Sequence, residues 1–421
     1  MKKYLFIITI LVSVILPSCK QKNVPQVDWQ WRGENRDGIY NETGLLKEWP
    51  AEGPQLLWHY EGLGDGYTSV AIANGKLYIT GRDIDNLVLF VFDLNGKLLT
   101  KKIVGKEWVA NFEGPRCSVV VDEGKLYIAN SLGQLFCLDE ATLKEIWKKD
   151  GLTDFDVRNI MFGITENPLI VGDKIYMTPG GEMHNMVALN KHTGYVVWTS
   201  PGNGQLSSYC SPLFISNQQI PMVVTWLGAI RLPGASWGTP NNNEFVAFHA
   251  ETGELLWTIT LPSGNTINPN TPIYSDGHIF VSTGYGGGSW LLQLKEGGRA
   301  VEQVWHYKEA DNQHHGPVKA GNYVYTTSHN GKAFFCIDWK TGETKYRESH
   351  PQGAMVYADG MLYCYDDRGG MSLIKPNPEQ FELVSRFEIT LGTKQHWAHP
   401  VIHNGVLYIR HGEALMAYKI Q

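Results

Sequence analysis

A unit repeated eight times along the chain constrains its fold more than any other feature. In each copy a small or polar residue, often with Pro, leads into an alternating apolar run. A tight turn, a β-run ending in Tyr or Phe, a Gly-containing turn and another strand follow. The clearest copies read TPIYSDGHIFVSTG from Thr271, GPVKAGNYVYTTSHNGKAFFCIDWKTGETKY from Gly316 and HPVIHNGVLYIRHGEALMAYKI from His399. Turn glycines give the period: 49 residues from Gly75 to Gly124, 44 from Gly277 to Gly321, 39 from Gly321 to Gly360 and 45 from Gly360 to Gly405. A second marker closes the units: LDEATLKEIW ending at Trp147, LNKHTGYVVW at Trp198, FHAETGELLW at Trp257 and the weaker IDWKTGETKY at Tyr346. A period of roughly 40–50 with four short strands is the size of one propeller blade. The apolar spacing of two excludes helical repeats.

The spacing predicts an all-β, eight-bladed β-propeller with four-stranded antiparallel blades, beginning near Tyr67, Gly114, Ile164, Tyr209, Pro269, His314, Gln352 and Trp397. The last copy holds only three strands, and Gln55-Leu56-Leu57-Trp58-His59-Tyr60 is a lone apolar strand. Inserting it into the last blade closes the ring and leaves no edge open. Residues 55–421 are therefore expected to form one propeller, with residues 20–54 as a tether and lead-in. The 45 Gly, 20 Pro and 12% aromatic residues suit a closed β architecture. A net charge of −6, from 36 basic and 42 acidic residues, offers no basic stripe for nucleic acid.

Residues 1–19 read as an address. Lys2 and Lys3 precede an apolar stretch from Tyr4 to Leu16, followed by Pro17-Ser18-Cys19. The stretch is shorter than the ~20 residues a spanning helix needs. A small residue before a cysteine at this place resembles a bacterial lipobox, which makes Cys19 the expected lipidation site. That implies a lipid-anchored protein of the bacterial cell envelope, facing the periplasm in preference to the cell surface. Of the other cysteines, Cys137 and Cys336 occupy equivalent repeat positions, where Ala188 and Ala247 stand in sister units, and are expected in the core. There is no CxxC, no CxxCH and no adjacent pair.

The closing marker is similar to the tryptophan-docking motif of the quinoprotein alcohol dehydrogenase-like superfamily of eight-bladed propellers. That superfamily includes pyrroloquinoline quinone (PQQ) dehydrogenases and the propeller lipoprotein of the outer-membrane β-barrel assembly machinery. The opening Trp29-Gln30-Trp31-Arg32-Gly33-Glu34-Asn35-Arg36-Asp37-Gly38 also looks like the N-terminal signature of bacterial PQQ-repeat proteins. The resemblance covers about residues 29–421 and implies a Trp packed between neighbouring blades.

Residues entering the inner strands should ring the axis. Blade by blade, the sequence places there Tyr67, Arg116 and Cys117, Glu166 and Asn167, Tyr209, Asn270, His314 and His315, and His396, Trp397 and His399. Turns between the second and third strands open on the same face and bring His329, Asp366, Asp367, Arg368, Arg410 and His411 near. The long loop from Leu227 to Asn243 is expected as a rim or lid, with Trp237 available for stacking. Gly284 to Gly288 is a strand turn, since no helix and no Lys-Ser/Thr completes a phosphate loop. No HxH spacing occurs, and His396 and His399 on an extended segment point to opposite sides, so no metal is expected.

Three functions fit. The first is a non-catalytic envelope module whose polar funnel binds a protein partner or a small polar or saccharide ligand. The second, implied by the resemblance, is an oxidoreductase acting on alcohols or sugars with PQQ and Ca²⁺. Glu166, Asn167 and Asn270 would then supply oxygens, Trp397 or Trp237 a platform, and Asp366 or Asp367 a base. This chain lacks the adjacent cysteine pair often found in such enzymes. The third is His/Arg-based chemistry on an anionic saccharide, motivated by Arg116, His314, His315, Arg368 and His411 sharing a face, with His399 a further catalytic candidate.

Overall fold

The computed structural model describes residues 27–157, 161–216, 219–228, 243–262 and 267–421. Cys19 and Trp237 lie outside the described residues, as does most of the expected lid. Eight sheets are arranged in a ring, each with four antiparallel strands, and seven of them draw all four from one sequence repeat. Their innermost strands are Ala71–Ala73, Val120–Asp122, Leu169–Val171, Leu213–Ile215, Ile273–Ser275, Val318–Ala320, Gly353–Ala358 and Val401–His403, which define blades 1 to 8. Leu56–Glu61 pairs antiparallel with Ala414–Lys419 as the outermost strand of blade 8, so the ring closes with a strand from the opposite end of the chain. A short α-helix, Gly151–Phe155, sits between blades 2 and 3. Gly284 to Gly287 forms a turn between two strands of blade 5.

The alternating pattern puts Val, Ile, Leu and Phe of the middle strands into the seams between blades, where they are almost fully buried. Cys137 and Cys336 are among them, and all five described cysteines are free and buried. The closing marker stitches one blade to the next. Trp147 donates its indole N–H to the Lys191 carbonyl at 3.0 Å, Trp198 to Ala250 at 3.0 Å, Trp257 to Gly298 at 3.1 Å and Trp305 to Trp339 at 3.0 Å. Trp58 of the closing strand repeats the bond across the last seam, to Leu94 of blade 1 at 3.1 Å. The marker's Thr-Gly turn has its own reason. The Gly253 α-carbon lies so close to the Trp198 ring that an added Cβ would stand 2.4 Å from it, and φ there is +75°. The fourth strand of blade 7 carries no Trp, and Trp49 of the lead-in fills the place, packed on Phe387 at 5.2 Å.

The segment before the ring takes a course that periodicity did not predict. Trp29 bridges Val121 on the inner strand of blade 2, and Ile39–Tyr40 adds a parallel fifth strand to the inner edge of blade 7. Between them, Arg32 and Arg36 are buried to 3% and 2% exposure, which places the segment along the axis of the ring.

Candidate functional site

The connections that lead into the inner strands share one face, and their polar residues divide into two layers. The deeper layer is a set of clasps between blades. The Ser69 amide donates to Ser118 Oγ at 2.9 Å, the Ser118 amide to Asn167 Oδ1 at 2.6 Å, and the Asn167 amide to Ser211 Oγ at 2.9 Å. Farther round, the Gly316 amide donates to Asn270 Oδ1 at 3.0 Å and Ser69 Oγ to the His399 carbonyl at 2.8 Å, the latter joining blades 8 and 1. These inner-strand entrances would otherwise carry unpaired buried amides, and a short side chain from a neighbouring blade satisfies them. Cys117 is packed at 0% exposure within this layer.

Arg32 and Arg36 plug the axis from the lead-in. Arg32 donates to the carbonyls of Pro317 at 2.8 Å, Asp37 at 3.1 Å and Met355 at 3.3 Å, and to His399 Nδ1 at 3.0 Å. Arg36 donates to the carbonyls of Asn167 at 3.0 Å and Pro168 at 2.9 Å in blade 3. The Glu166 carboxylate accepts the Thr178 amide with both oxygens at 3.1 Å. Burial pushes its pKa up to about 8, against smaller opposing effects of those hydrogen bonds and of Arg36.

Several candidates are occupied in the same way. Arg410 is buried with its guanidinium on the carbonyls of Gly412, Gly64 and Thr80 and on Thr68 Oγ1. Asp366 is fully buried, ion-paired with Arg386, and accepts the amides of Arg368 and Gly370. Asp367 accepts from Gln352 at 3.1 Å, while Arg368 is exposed. His329 meets Gln352 through Nδ1 at 3.0 Å and lies 4.6 Å from the Tyr285 ring. His396 and His411 stack at 3.6 Å, and the two nitrogens of His411 face the carbonyls of Leu391 at 2.7 Å and Lys394 at 3.0 Å.

The upper layer is aromatic. Trp397 is the hub: Tyr67 lies 5.1 Å from it, Phe112 4.9 Å, and His314 4.9 Å edge-to-face. Phe112 continues to Phe162 at 5.9 Å, and Phe162 to Tyr209 at 6.1 Å. Arg116 stands over the Tyr67 ring at 5.9 Å. The structure thus joins Tyr67, Arg116, Tyr209, His314 and Trp397 in one mouth across blades 1, 2, 4, 6 and 8. Phe112 and Phe162 escaped the sequence reading. Each lies a few residues before an inner-strand entrance, an aromatic recurrence that inspection of the inter-blade connections could have found.

PQQ with Ca²⁺ can be tested against this donor set. Asn167 Oδ1 and Asn270 Oδ1 are spent on inter-blade amides, and both Glu166 oxygens on Thr178. The Arg36 guanidinium already stands against the Asn167 and Pro168 carbonyls, near Glu166. These residues do not fit a bound calcium ion. Among the described residues, no group of three or more His, Cys, Asp or Glu side chains is placed to hold a metal.

The ring of eight blades, the tryptophan clasps and the axial mouth define a propeller of the PQQ-repeat class. A family model described as outer membrane protein assembly factor BamB matches residues 85–224 and 236–316, over half of the chain, and the chain belongs to that PQQ-repeat family. It is 27% identical over 201 residues to the quinoprotein alcohol dehydrogenase PedH of Pseudomonas putida, covering 47% of this chain and 31% of that protein. To the outer membrane protein assembly factor BamB of Shewanella oneidensis it is 23% identical over 281 residues, covering 61% of this chain and 65% of that protein. The chain therefore spans less than two thirds of these relatives' lengths. Among solved structures, it resembles BamB from Moraxella catarrhalis with a TM-score of 0.59 at 13% identity, over 87% of this chain and 99% of that one. It also resembles the quinohemoprotein alcohol dehydrogenase of Comamonas testosteroni with a TM-score of 0.68 at 12% identity, over 92% of this chain and 79% of that one. At such identities the structural likeness speaks for the fold alone.

Proposed function

We propose that this protein is a non-catalytic binding module of the bacterial cell envelope. A lipid on Cys19 would hold it to a membrane, and the aromatic mouth around Trp397 would engage a protein that takes part in outer-membrane protein assembly. The observation that carries this reading is the filled axis. Arg32 and Arg36 occupy the channel, and the oxygens that a quinone–calcium pair would need are spent on the ring's own clasps. The mouth, by contrast, keeps Phe112 exposed beside Trp397, an arrangement of rings and one arginine that suits recognition of a partner. The BamB relatives support an assembly role, and the dehydrogenase relatives support the competing oxidoreductase reading.

One experiment separates the two. The full chain is mixed with excess PQQ and Ca²⁺, its absorbance is recorded, and dye-linked oxidation is assayed on a panel of alcohols and aldoses. In parallel, a photo-crosslinker at position 112 is activated in cells. The module reading expects no cofactor band, no dye reduction, and a cross-link to an outer-membrane assembly protein that Trp397→Ala abolishes. Cofactor-dependent dye reduction would replace it with the oxidoreductase reading.

A further inference from the structure

We propose that His314 and His315, beneath Trp397, form a recognition site for a small anionic ligand bearing a carboxylate or sulfate group. The inference deepens the binding reading above by naming a ligand class for the same mouth, and it rests on that mouth being a binding surface.

His315 is 0% exposed, and neither of its ring nitrogens has a hydrogen-bond partner; Nε2 of His314 is likewise buried and unpartnered. Buried polar atoms are nearly always paired, so three orphaned nitrogens on two adjacent rings mark a place where a ligand's polar group belongs. The rings lie 4.0 Å apart with a 31° tilt. A 4.0 Å separation leaves no room for an ion between the rings, so a ligand meets them at their nitrogen-bearing edges. That geometry suits a ligand with several oxygens better than a metal ion.

The surrounding charge selects the sign. The titratable groups that face His315 are His314, His399, His329 and Lys332, and His329 also faces His314. All are neutral or cationic, with Lys332 also 3.9 Å from the Asp367 carboxylate. Arg32 adds a guanidinium next door, against the Gly316 α-carbon and His399, and its hydrogen bonds go to carbonyls and an imidazole. Its nearest carboxyl influence, Asp37, stands on the lead-in. Burial holds His314 and His315 neutral, their pKa values pressed below the usual imidazole range. An anion arriving at their edges supplies the missing negative charge. One imidazole then takes a proton from solvent and becomes a charge-assisted donor to the ligand oxygen. Trp397 stands edge-on to His314.

The test uses the full chain and calorimetric titration with glucuronate, sulfate and uncharged glucose, at pH 7 and pH 6, in buffers of differing ionisation enthalpy. Expected are binding of glucuronate or sulfate with uptake of about one proton, affinity rising about tenfold per pH unit as pH falls, and no binding of glucose. His314→Gln and His315→Gln should each weaken the anion at least about tenfold, a loss comparable to one strong charge-assisted contact, with near-UV circular dichroism unchanged. The proton uptake is read on the natural chain and so stands even if a variant misfolds. The proposal is overturned if neither anion binds, if glucose binds as well as glucuronate, if binding is indifferent to pH, or if folded His314→Gln binds normally. No partner protein enters these titrations, so failure of the cross-link and failure of anion binding are told apart.

Discussion

The Arg32 guanidinium donates to Nδ1 of His399 at 3.0 Å, fastening the lead-in to the entrance of the last blade. His399 Nε2 faces the His314 carbonyl at 3.0 Å, so Nε2 carries the proton and Nδ1 is free to accept from arginine. One imidazole thereby connects the axial plug, blade 8 and the histidine pair of blade 6.

Removing Arg32 should loosen all three. Arg32→Met leaves the carbonyls of Pro317, Asp37 and Met355 without their donor. Each orphaned group costs about 1–3 kcal/mol, and partial relaxation leaves a net loss of about 3 kcal/mol. Arg32→Lys should recover less than half of it, because an ammonium cannot fork to four acceptors. Urea unfolding followed by tryptophan fluorescence measures both. Natural stability in Arg32→Met would mean that the plug is not anchored through this residue.

Acid should destabilise the ring. Burial lowers His314 to about 3 and His396 to about 4, and presses His315 and His399 well below the usual range. Their folded pKa values lie under the unfolded value of about 6.5. The unfolded chain therefore binds more protons below that pH, and stability is lost as pH falls through about 6.5 and below. His315 and His399, both nearly inaccessible, contribute up to about 1.4 kcal/mol per pH unit each. Glu166 works in the opposite sense: raised to about 8, its contribution is complete below about pH 4.5 and is lost as pH rises toward 8. Unfolding free energies at pH 7, 6 and 5 should fall steeply, and less steeply in His399→Gln. A flat profile would contradict the neutral assignment.

The blades were legible because a propeller writes its geometry into periodic positions. Turn glycines such as Gly75 and Gly124 sit where a left-handed residue is needed, at φ of +73° and +69°, and Trp147 or Trp198 recurs because each must reach the next seam. The site was less legible, because the same entrance positions serve two purposes. Asn167 and Asn270 look like funnel lining in sequence, yet their side chains close amides of neighbouring blades. Arg32 and Arg36 carry no periodic signal, since their partners on the blades lie more than 130 residues away along the chain. Nothing local marks them as a plug. Phe112 and Phe162 became meaningful only when the ring brought their connections together.

The Trp–Gly pairing at the seams gives a sharp mutational expectation. Gly253→Ala asks for a Cβ 2.4 Å from the Trp198 ring at a φ of +75°. Strain of this kind costs about 1–3 kcal/mol. Trp198→Ala removes a buried ring and its bond to Ala250, a loss of about 3–5 kcal/mol. If the Gly–Trp contact is the source of strain, the double variant should lose less than the sum of the single losses, and a double-mutant cycle in urea reads the difference. Strict additivity would place the cost of Gly253→Ala in the backbone alone.

Closure of the ring should be felt far from the strand that performs it. Leu56–Glu61 supplies the fourth strand of blade 8, and its Trp58 docks on Leu94 of blade 1. Without residues 55–60, Ala414–Lys419 becomes an exposed edge and the seam between blades 8 and 1 loses its tryptophan. Deletion should therefore lower the unfolding midpoint of the whole disc, with hydrogen exchange accelerated in blades 1 and 8 and carried into their neighbours. The same six-residue segment supplied in trans as a peptide should restore protection, because the missing strand finds its partner at the open edge. Exchange that rises only at the deletion point would show that the remaining seven seams hold the propeller without its closing strand.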